Sequence, residues 1–284
     1  MNTAVENPGA VELACSTICF RNSVLADALQ RIRIQGFDAI DLGALKGLCE
    51  HVPLFGTAEE MREASRIVTE SGLNVLSVNA DPGSFNDGTP QLEILERIEA
   101  LTMFCAEVGS PLLLLPSGAA ERTDVSYEQQ LEAVATGLNA AAAVGARYGV
   151  KIAVEAPHHY RLINTLPRVR QLLALLEPAV GLVYDISHVR AAGEDPARSY
   201  AEFAPQVVHI HLRDAETGNI RKVLGSGQID FPAFHDASRQ AGWTGRYVLE
   251  LETHDSPFSS KDEEVADALL RLNHVFTTHA KAMK

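Results

Sequence analysis

Four ionisable side chains lie at the carboxyl ends of short apolar segments in the second half of the sequence. They are Glu155, Asp185, His211 and Glu250. Three carboxylates that converge without a cation would repel one another and would lose their hydration. A divalent metal ion removes this cost, and mixed carboxylate and imidazole ligands suit Mn²⁺, Mg²⁺, Co²⁺, Fe²⁺ or Zn²⁺. We therefore predict that these four residues bind one divalent metal ion, with Mn²⁺ as the first expectation.

The sequence around these residues alternates between apolar strands and amphipathic helices. Eight strands are predicted, at Glu12–Ser16, Ala39–Gly43, Leu73–Asn79, Leu112–Pro116, Lys151–Ala156, Gly181–Asp185, Val207–Leu212 and Tyr247–Glu252. Helices are predicted over 23–35, 57–71, 90–108, 126–148, 165–177 and about 260–280. Thr57 begins a capping-box pattern, and Pro90 suits the first turn of its helix.

This alternation predicts a parallel sheet, because parallel strands need helical crossovers. Eight units can close into a (β/α)₈ TIM barrel. The alternative is an open doubly wound sheet, but no GxGxxG pattern follows the first strand. We expect a single barrel domain over residues 11–284, preceded by a short tail over residues 1–10.

Strand periodicity indicates that the four predicted ligands converge. Side chains alternate between the two faces of a strand, so Ala153 shares a face with Glu155, and His209 shares one with His211. If these faces line the barrel lumen, the ligands meet at its carboxyl-terminal mouth, where barrel active sites lie. Singly, Asp185 could cap a helix and Glu155 could pair with an arginine. Their matching positions on four consecutive strands favour the metal site, and we expect His209 to lie in the core or behind the ligands.

Composition narrows the classes of partner. The chain of 284 residues carries a formal net charge of −13, which disfavours binding to nucleic acid or to anionic membrane surfaces. Its four cysteines form no metal-binding pattern, so we expect buried, reduced thiols in a cytoplasmic protein. The first ten residues do not have the pattern of a signal peptide, and no segment has the length of a membrane span.

Five motifs carry a resemblance to a known family. They are Val154-Glu-Ala-Pro-His-His159, Tyr184-Asp-Ile-Ser-His188, His209-Ile-His-Leu-Arg-Asp214, Gly225-Ser-Gly-Gln-Ile-Asp-Phe231 and Gly242-Trp-Thr-Gly-Arg-Tyr-Val-Leu-Glu250. In order and spacing they resemble the sugar phosphate isomerase/epimerase superfamily, the xylose isomerase-like or AP endonuclease family 2 barrels. The resemblance covers the second half of the chain, whereas the first half matches only in its strand–helix rhythm.

The resemblance implies the same four metal ligands and a role for His188 in contacting substrate. It implies a metal-dependent isomerase or epimerase that acts on a ketose or related sugar or polyol, with or without a phosphate group, through a metal-stabilised enediolate. Glu155 and Glu250 are then the expected acid/base pair. Further candidates for substrate binding are Arg213, His158, Asn79 and Phe20, with Asp81, Phe85 and His51 in the loops. A phosphate could be bound by Arg213, Arg221, Lys222 and the Gly225-Ser-Gly227 loop.

Two other activities remain open at this level. The same site could serve a dehydratase of the inosose or dehydroshikimate type. An AP endonuclease-like phosphodiesterase fits less well, because Asn79 and Asp230-Phe-Pro232 stand where further histidines would be expected. We expect a small-molecule substrate and a homo-oligomer, either a dimer or a tetramer.

Overall fold

Eight parallel strands form a closed ring in the computed structural model, which describes residues 13–253 and 256–282. The first strand, β1, pairs with both the second and the last strand of the ring, which closes the barrel. The ring strands are β1 (Leu13–Ser16), β2 (Ala39–Leu45), β4 (Asn74–Ala80), β5 (Leu112–Pro116), β6 (Lys151–Glu155), β7 (Gly181–Asp185), β8 (Val207–Leu212) and β11 (Tyr247–Leu249). The predicted single-domain TIM barrel is confirmed. The expected tail over residues 1–10 lies outside the described residues.

Three short strands lie outside the ring. β3 (Cys49–Glu50) pairs antiparallel with β2, and β9 (Asp214–Glu216) forms a hairpin with β10 (Asn219–Lys222). Both additions follow the carboxyl end of a ring strand, so they add structure at the mouth of the barrel. Neither was predicted from the sequence.

Helices surround the ring. They are α1 (Leu25–Ile34), α2 (Ala58–Ser71), α3 (Gln91–Glu107), α4 (Tyr127–Arg147), α5 (Leu166–Leu173), α6 (Ile186–Ala191), α7 (Pro196–Phe203), α8 (Phe231–Gln240) and α9 (Lys261–Ala282). The capping box at Thr57 is confirmed, because its hydroxyl accepts from the Glu60 N–H and the Glu60 carboxylate accepts in return. Pro90 was predicted in the first turn, but it stands at the N-cap, one residue before α3 begins.

Several predicted boundaries were wrong. The last ring strand ends at Leu249 rather than at Glu252, and the helix predicted to reach residue 177 ends at Leu173. Three helices, α6, α7 and α8, were not predicted. Among the described residues, no helix has both the length and the apolar character that a membrane span requires.

The core has two parts. The larger part packs the helices against the outer face of the ring, and it includes Ile40, Val154, Leu182 and Ile210. Inside the ring, small clusters such as that of Leu114, Ala153 and Val183 fill the lumen. Ala153 and Val183 each lie two residues before Glu155 and Asp185 on the same face of their strands. The polar side chains therefore lie nearer the mouth than these apolar ones.

Candidate metal centre and active site

The four predicted ligands lie together at the carboxyl-terminal mouth of the barrel. One ligand atom from each of Glu155, Asp185, His211 and Glu250 lies within 4.8 Å of the others. Strand register produces this arrangement, because Asp185 stands beside His211 on β7 and β8, and Val248 of β11 stands beside His211 on the other side. Glu155 is partly exposed, whereas the other three are buried.

One ring nitrogen of His211, Nδ1, faces two of the carboxylates. Nδ1 lies 3.1 Å from Glu155 Oε1 and 3.7 Å from Glu250 Oε2. Burial favours the neutral ring, but the nearby carboxylates of Glu250, Asp41 and Glu155 outweigh burial and raise the pKa of His211 well above its usual value. A cation at this point would take over the charge balance that a protonated His211 otherwise supplies.

Glu250 is a buried carboxylate. Burial raises its pKa to about 8, against the opposing influence of His211 and Arg213. The Asn79 side-chain amide donates a hydrogen bond of 3.2 Å to Glu250 Oε1. Asn79, expected to bind substrate, thus also orients one of the predicted acid/base residues.

Arg213 lies inside the site. Its guanidinium is 2% exposed and donates to Asp185 at 2.6 Å and to Glu252 at 2.7 Å. Its Nε donates to the Ser187 hydroxyl at 2.9 Å. Most of the hydrogen-bonding capacity of this arginine is therefore spent on protein groups, although its side chain still lines the cavity at the mouth.

Two histidines stack beside the carboxylates. The rings of His158 and His188 have centroids 3.9 Å apart, and His158 Nε2 lies 3.5 Å from Glu155 Oε2. Burial lowers the pKa of both rings, and neighbouring cationic groups lower it further. His188 Nδ1 accepts the backbone N–H of His159, and His188 Nε2 lies 3.1 Å from the Arg213 guanidinium and 3.7 Å from Asp185.

A cavity of about 350 Å³ opens above these groups. A volume of this size suits a small ligand. Its lining includes Asn79, Asp81, Glu155, His158, Tyr160, Arg161, Arg213, Arg221, Glu250 and Glu252.

Other predicted residues lie elsewhere. Phe20 is buried under the Arg31 guanidinium, and Phe85 packs against α4 at Gly137. His51 bonds to the Ser23 carbonyl and lines a separate surface depression. These three are not among the residues that line the cavity at the mouth, and a role for Phe20 in substrate binding stays a prediction. His188 is buried and contacts the site through Asp185.

Asp41 is the buried group that the sequence interpretation missed. It stands in β2, where it is fully enclosed and accepts hydrogen bonds from the Ser16 and Ser77 hydroxyls. Although burial opposes ionisation, His211, His209 and Ser77 lower the pKa of Asp41. The missed signal was available, because a carboxylate within the apolar run Ala39–Leu45 breaks the pattern as Asp185 does. His209 lies behind the ligands, 3.7 Å from Asp41.

The chemistry of the donor set fits a divalent metal ion. Glu155, Asp185 and Glu250 supply hard carboxylate oxygens, and His211 supplies an imidazole nitrogen, which is a combination that such ions accept. Without a cation, Arg213 and a protonated His211 would balance these carboxylates. The residues therefore fit the group that the sequence predicts.

Comparisons with known proteins agree with the fold. The chain is 24% identical over 245 residues to the L-ribulose-5-phosphate 3-epimerase UlaE of Salmonella typhi. This alignment covers 81% of this chain and 84% of that protein. It is 27% identical over 127 residues to the rhizopine catabolism protein MocC of Rhizobium meliloti, covering 38% of each chain.

Solved structures share the whole barrel. The 3-keto-D-glucoside 4-epimerase YcjR of E. coli superposes with a TM-score of 0.75 at 22% identity and covers 93% of this chain and 99% of that chain. The IolI protein, whose structure holds a zinc atom, superposes with a TM-score of 0.76 at 20% identity, covering 94% and 99%. A sequence profile described as xylose isomerase-like TIM barrel matches residues 29–274. The chain therefore belongs to the xylose isomerase-like TIM barrel family.

Proposed function

We propose that this protein is a metal-dependent isomerase or epimerase of a ketose or a related keto sugar. Glu155, Asp185, His211 and Glu250 would hold one divalent ion, with Mn²⁺ as the first expectation. The observation that carries the proposal is the convergence of these four ligand atoms within 4.8 Å of one another, beside a cavity that Glu155 and Glu250 line. When bound, the metal would supply a Lewis acid for a carbonyl and its neighbouring hydroxyl. The epimerases and the zinc-holding barrel among the similar proteins support this class of reaction.

Glu155 and Glu250 are the proposed proton carriers. They belong to β6 and to the segment after β11, which stand on opposite sides of β7 and β8 in the ring. One carboxylate can take the proton from the carbon beside the carbonyl, and the other can return a proton to the opposite face, which inverts that carbon. Return to the adjacent carbon would instead exchange an aldose and a ketose. Burial raises the pKa of Glu250 to about 8 in the metal-free site, and a cation bound by this carboxylate would lower it.

Asn79, His158, His188 and Arg213 are the proposed substrate contacts. Asn79, His158 and Arg213 line the cavity and could bind hydroxyl groups. His188 would act from its position beside Asp185 and Arg213, which lie 3.7 Å and 3.1 Å from its Nε2.

The hydrogen bonds of the glycine loop after β10 favour a substrate that carries no phosphate group. Backbone N–H groups in such loops can bind phosphate. Here the N–H groups of Gly225 and Gly227 already donate to Asp214 Oδ2, at 2.8 Å and 2.9 Å. A Cβ at Gly227 would lie 2.2 Å from Asp214 Oδ1, so the glycine permits the close approach of an internal carboxylate.

The pairing of the cations near the mouth also favours a substrate that carries no phosphate group. Arg161 pairs with Asp81 at 2.6 Å, and Lys222 lies 3.4 Å from Glu216. Arg221 is exposed and lies over the ring of Tyr160. A phosphate would have to displace a carboxylate or rely on this rim arginine, so we propose that the substrate is uncharged.

The test is a panel of ketoses, ketose phosphates and inososes, incubated in D₂O with Mn²⁺ and followed by NMR. Epimerisation or isomerisation should incorporate deuterium at the carbon beside the carbonyl. Loss of water from the substrate would instead identify a dehydratase. If no compound exchanges, or if a chelated sample turns over undiminished, the proposal is wrong. Replacement of Arg221 by glutamine should leave KM unchanged for the true substrate if that substrate is uncharged, and should raise it if the substrate is a phosphate.

Two variants test the proton carriers. Glu155→Gln and Glu250→Gln should each lower the exchange rate at least about 100-fold, which is the usual contribution of a positioned acid or base. Glu121→Gln is the matched control, because Glu121 pairs with Arg168 near the surface. We also expect a dimer or a tetramer in the cytoplasm, and light scattering of the purified protein tests the oligomeric state.

A further inference from the structure

A layer of polar side chains lies in the lumen directly beneath the proposed metal ligands. This lower polar layer consists of Asp41, His209, Ser16 and Ser77, and all four are buried. One ligand atom from each of Asp41, His209 and His211 lies within 4.8 Å of the others. His211 therefore belongs both to the proposed metal site and to the layer under it.

The Asp41 carboxylate is held firmly by neutral donors. The Ser16 hydroxyl donates to Oδ1 at 2.9 Å, and the Ser77 hydroxyl donates to Oδ2 at 2.6 Å. A carboxylate has about four acceptor positions, so Asp41 keeps capacity for another donor. The two serines fix its orientation and leave Oδ2 facing the imidazole rings of β8.

His211 presents its second nitrogen to this carboxylate. Nδ1 faces the upper carboxylates, 3.1 Å from Glu155 Oε1, while Nε2 lies 3.7 Å from Asp41 Oδ2. Nε2 is buried and has no hydrogen-bond partner at this distance. A contraction of about 0.8 Å would bring the pair to an ordinary hydrogen-bond length near 2.9 Å.

We propose that Asp41 is a positioning residue that accepts the Nε2–H of His211 and so presents Nδ1 to the metal. A carboxylate that receives the second N–H of a ligating histidine fixes its tautomer and its ring orientation. The lower polar layer is not a second metal site, because its third ligand would be the same His211 and Asp41 is already bound by two hydroxyls. The inference rests on the proposed metal site.

Metal titration of the Asp41→Asn variant tests this role. Asparagine keeps the size of the side chain, but it lacks the charge that anchors the imidazole N–H. We expect Mn²⁺ affinity, measured by calorimetry on the chelator-treated protein, to fall 10–100-fold. Glu264→Gln is the matched control, since Glu264 is a carboxylate 2% exposed on α9 that bonds to Lys261. This control should bind Mn²⁺ as the wild type does, and melting of both metal-free variants reports any general loss of stability.

A second measurement uses the wild type alone and does not depend on a variant that folds. In protein loaded with Co²⁺, a ligating histidine whose N–H is bonded to Asp41 should give one hyperfine-shifted, slowly exchanging imidazole proton. An unchanged Mn²⁺ affinity in folded Asp41→Asn, or the absence of that proton signal, overturns the positioning role. Two metal ions per wild-type chain, with one lost in Asp41→Asn, would also overturn it, because Asp41 would then be a ligand. If the wild type binds no divalent metal, the proposed metal site itself fails.

Discussion

Replacing Arg213 with methionine tests how the charges of the site are balanced without metal. The guanidinium is buried, 2.6 Å from Asp185, 2.7 Å from Glu252 and 3.4 Å from Glu250. Methionine keeps much of the length of the side chain and removes its charge, so Asp185 and Glu252 lose their common counterion. Removing one partner of a buried ion pair costs about 3–5 kcal/mol. We expect a loss of this size in the free energy of unfolding of the metal-free variant.

The metal should reduce that loss. A divalent ion bound by Asp185 and Glu250 neutralises the first of these carboxylates, so the variant should gain more stability from Mn²⁺ than the wild type does. A large domain loses about 2–4 °C in Tm for each kcal/mol. Metal-free Arg213→Met should therefore melt on the order of 10 °C below the wild type, and saturating Mn²⁺ should narrow the gap.

Urea unfolding with a chelator, and then with Mn²⁺, measures both effects. Arg66→Met is the matched control, because Arg66 pairs with Glu63 and Glu70 on the exposed face of α2. The unfolding midpoint of this control should match that of the wild type. If metal-free Arg213→Met unfolds at the same midpoint as Arg66→Met, or if Mn²⁺ leaves the gap unchanged, Arg213 does not balance the charge of these carboxylates.

Three further predictions concern protonation, packing and thiols. Burial raises the pKa of Glu250 to about 8, so the metal-free folded state binds a proton that the unfolded chain releases near pH 4.3. Stability should thus fall as pH rises from about 4.5 to 8, and Glu250→Gln should flatten that slope in urea titrations. Gly145→Ala should destabilise α4 despite alanine's helix propensity, because its Cβ would lie 2.4 Å from the Val150 carbonyl oxygen; a rise in Tm would contradict this. Burial raises the pKa of Cys49 and Cys105 to about 12, so a thiol reagent should label neither until the chain unfolds.

The barrel could be predicted because its strands are short apolar runs that each end in a polar group. Two of the missed helices also had readable starts. Asp195 caps α7 ahead of Pro196, and Asp230 caps α8, which has Pro232 in its first turn. Asp185 likewise caps α6, but that helix carried no amphipathic period, because five of its six residues are buried.

The partners of Arg213 could not be predicted from the sequence. Its position two residues after His211 indicated only that it lies near the mouth. Whether its donors face substrate or protein depends on Glu252 and Ser187, which reach it from other strand ends. Contacts across a barrel mouth join residues far apart in the chain, and local periodicity carries no information about them.

The lower polar layer and the residues that line the cavity have different roles in the proposed site. Asp41 and its serines are closed to solvent beneath His211, whereas Asn79 and His158 line the open cavity above it. A substitution in the upper loops can change which hydroxyl groups are bound and still leave the imidazole of His211 in place. A substitution in the lower layer cannot touch the substrate, so any effect on turnover must pass through the metal ligands. Variants of Asp41 should consequently alter Mn²⁺ affinity more than KM.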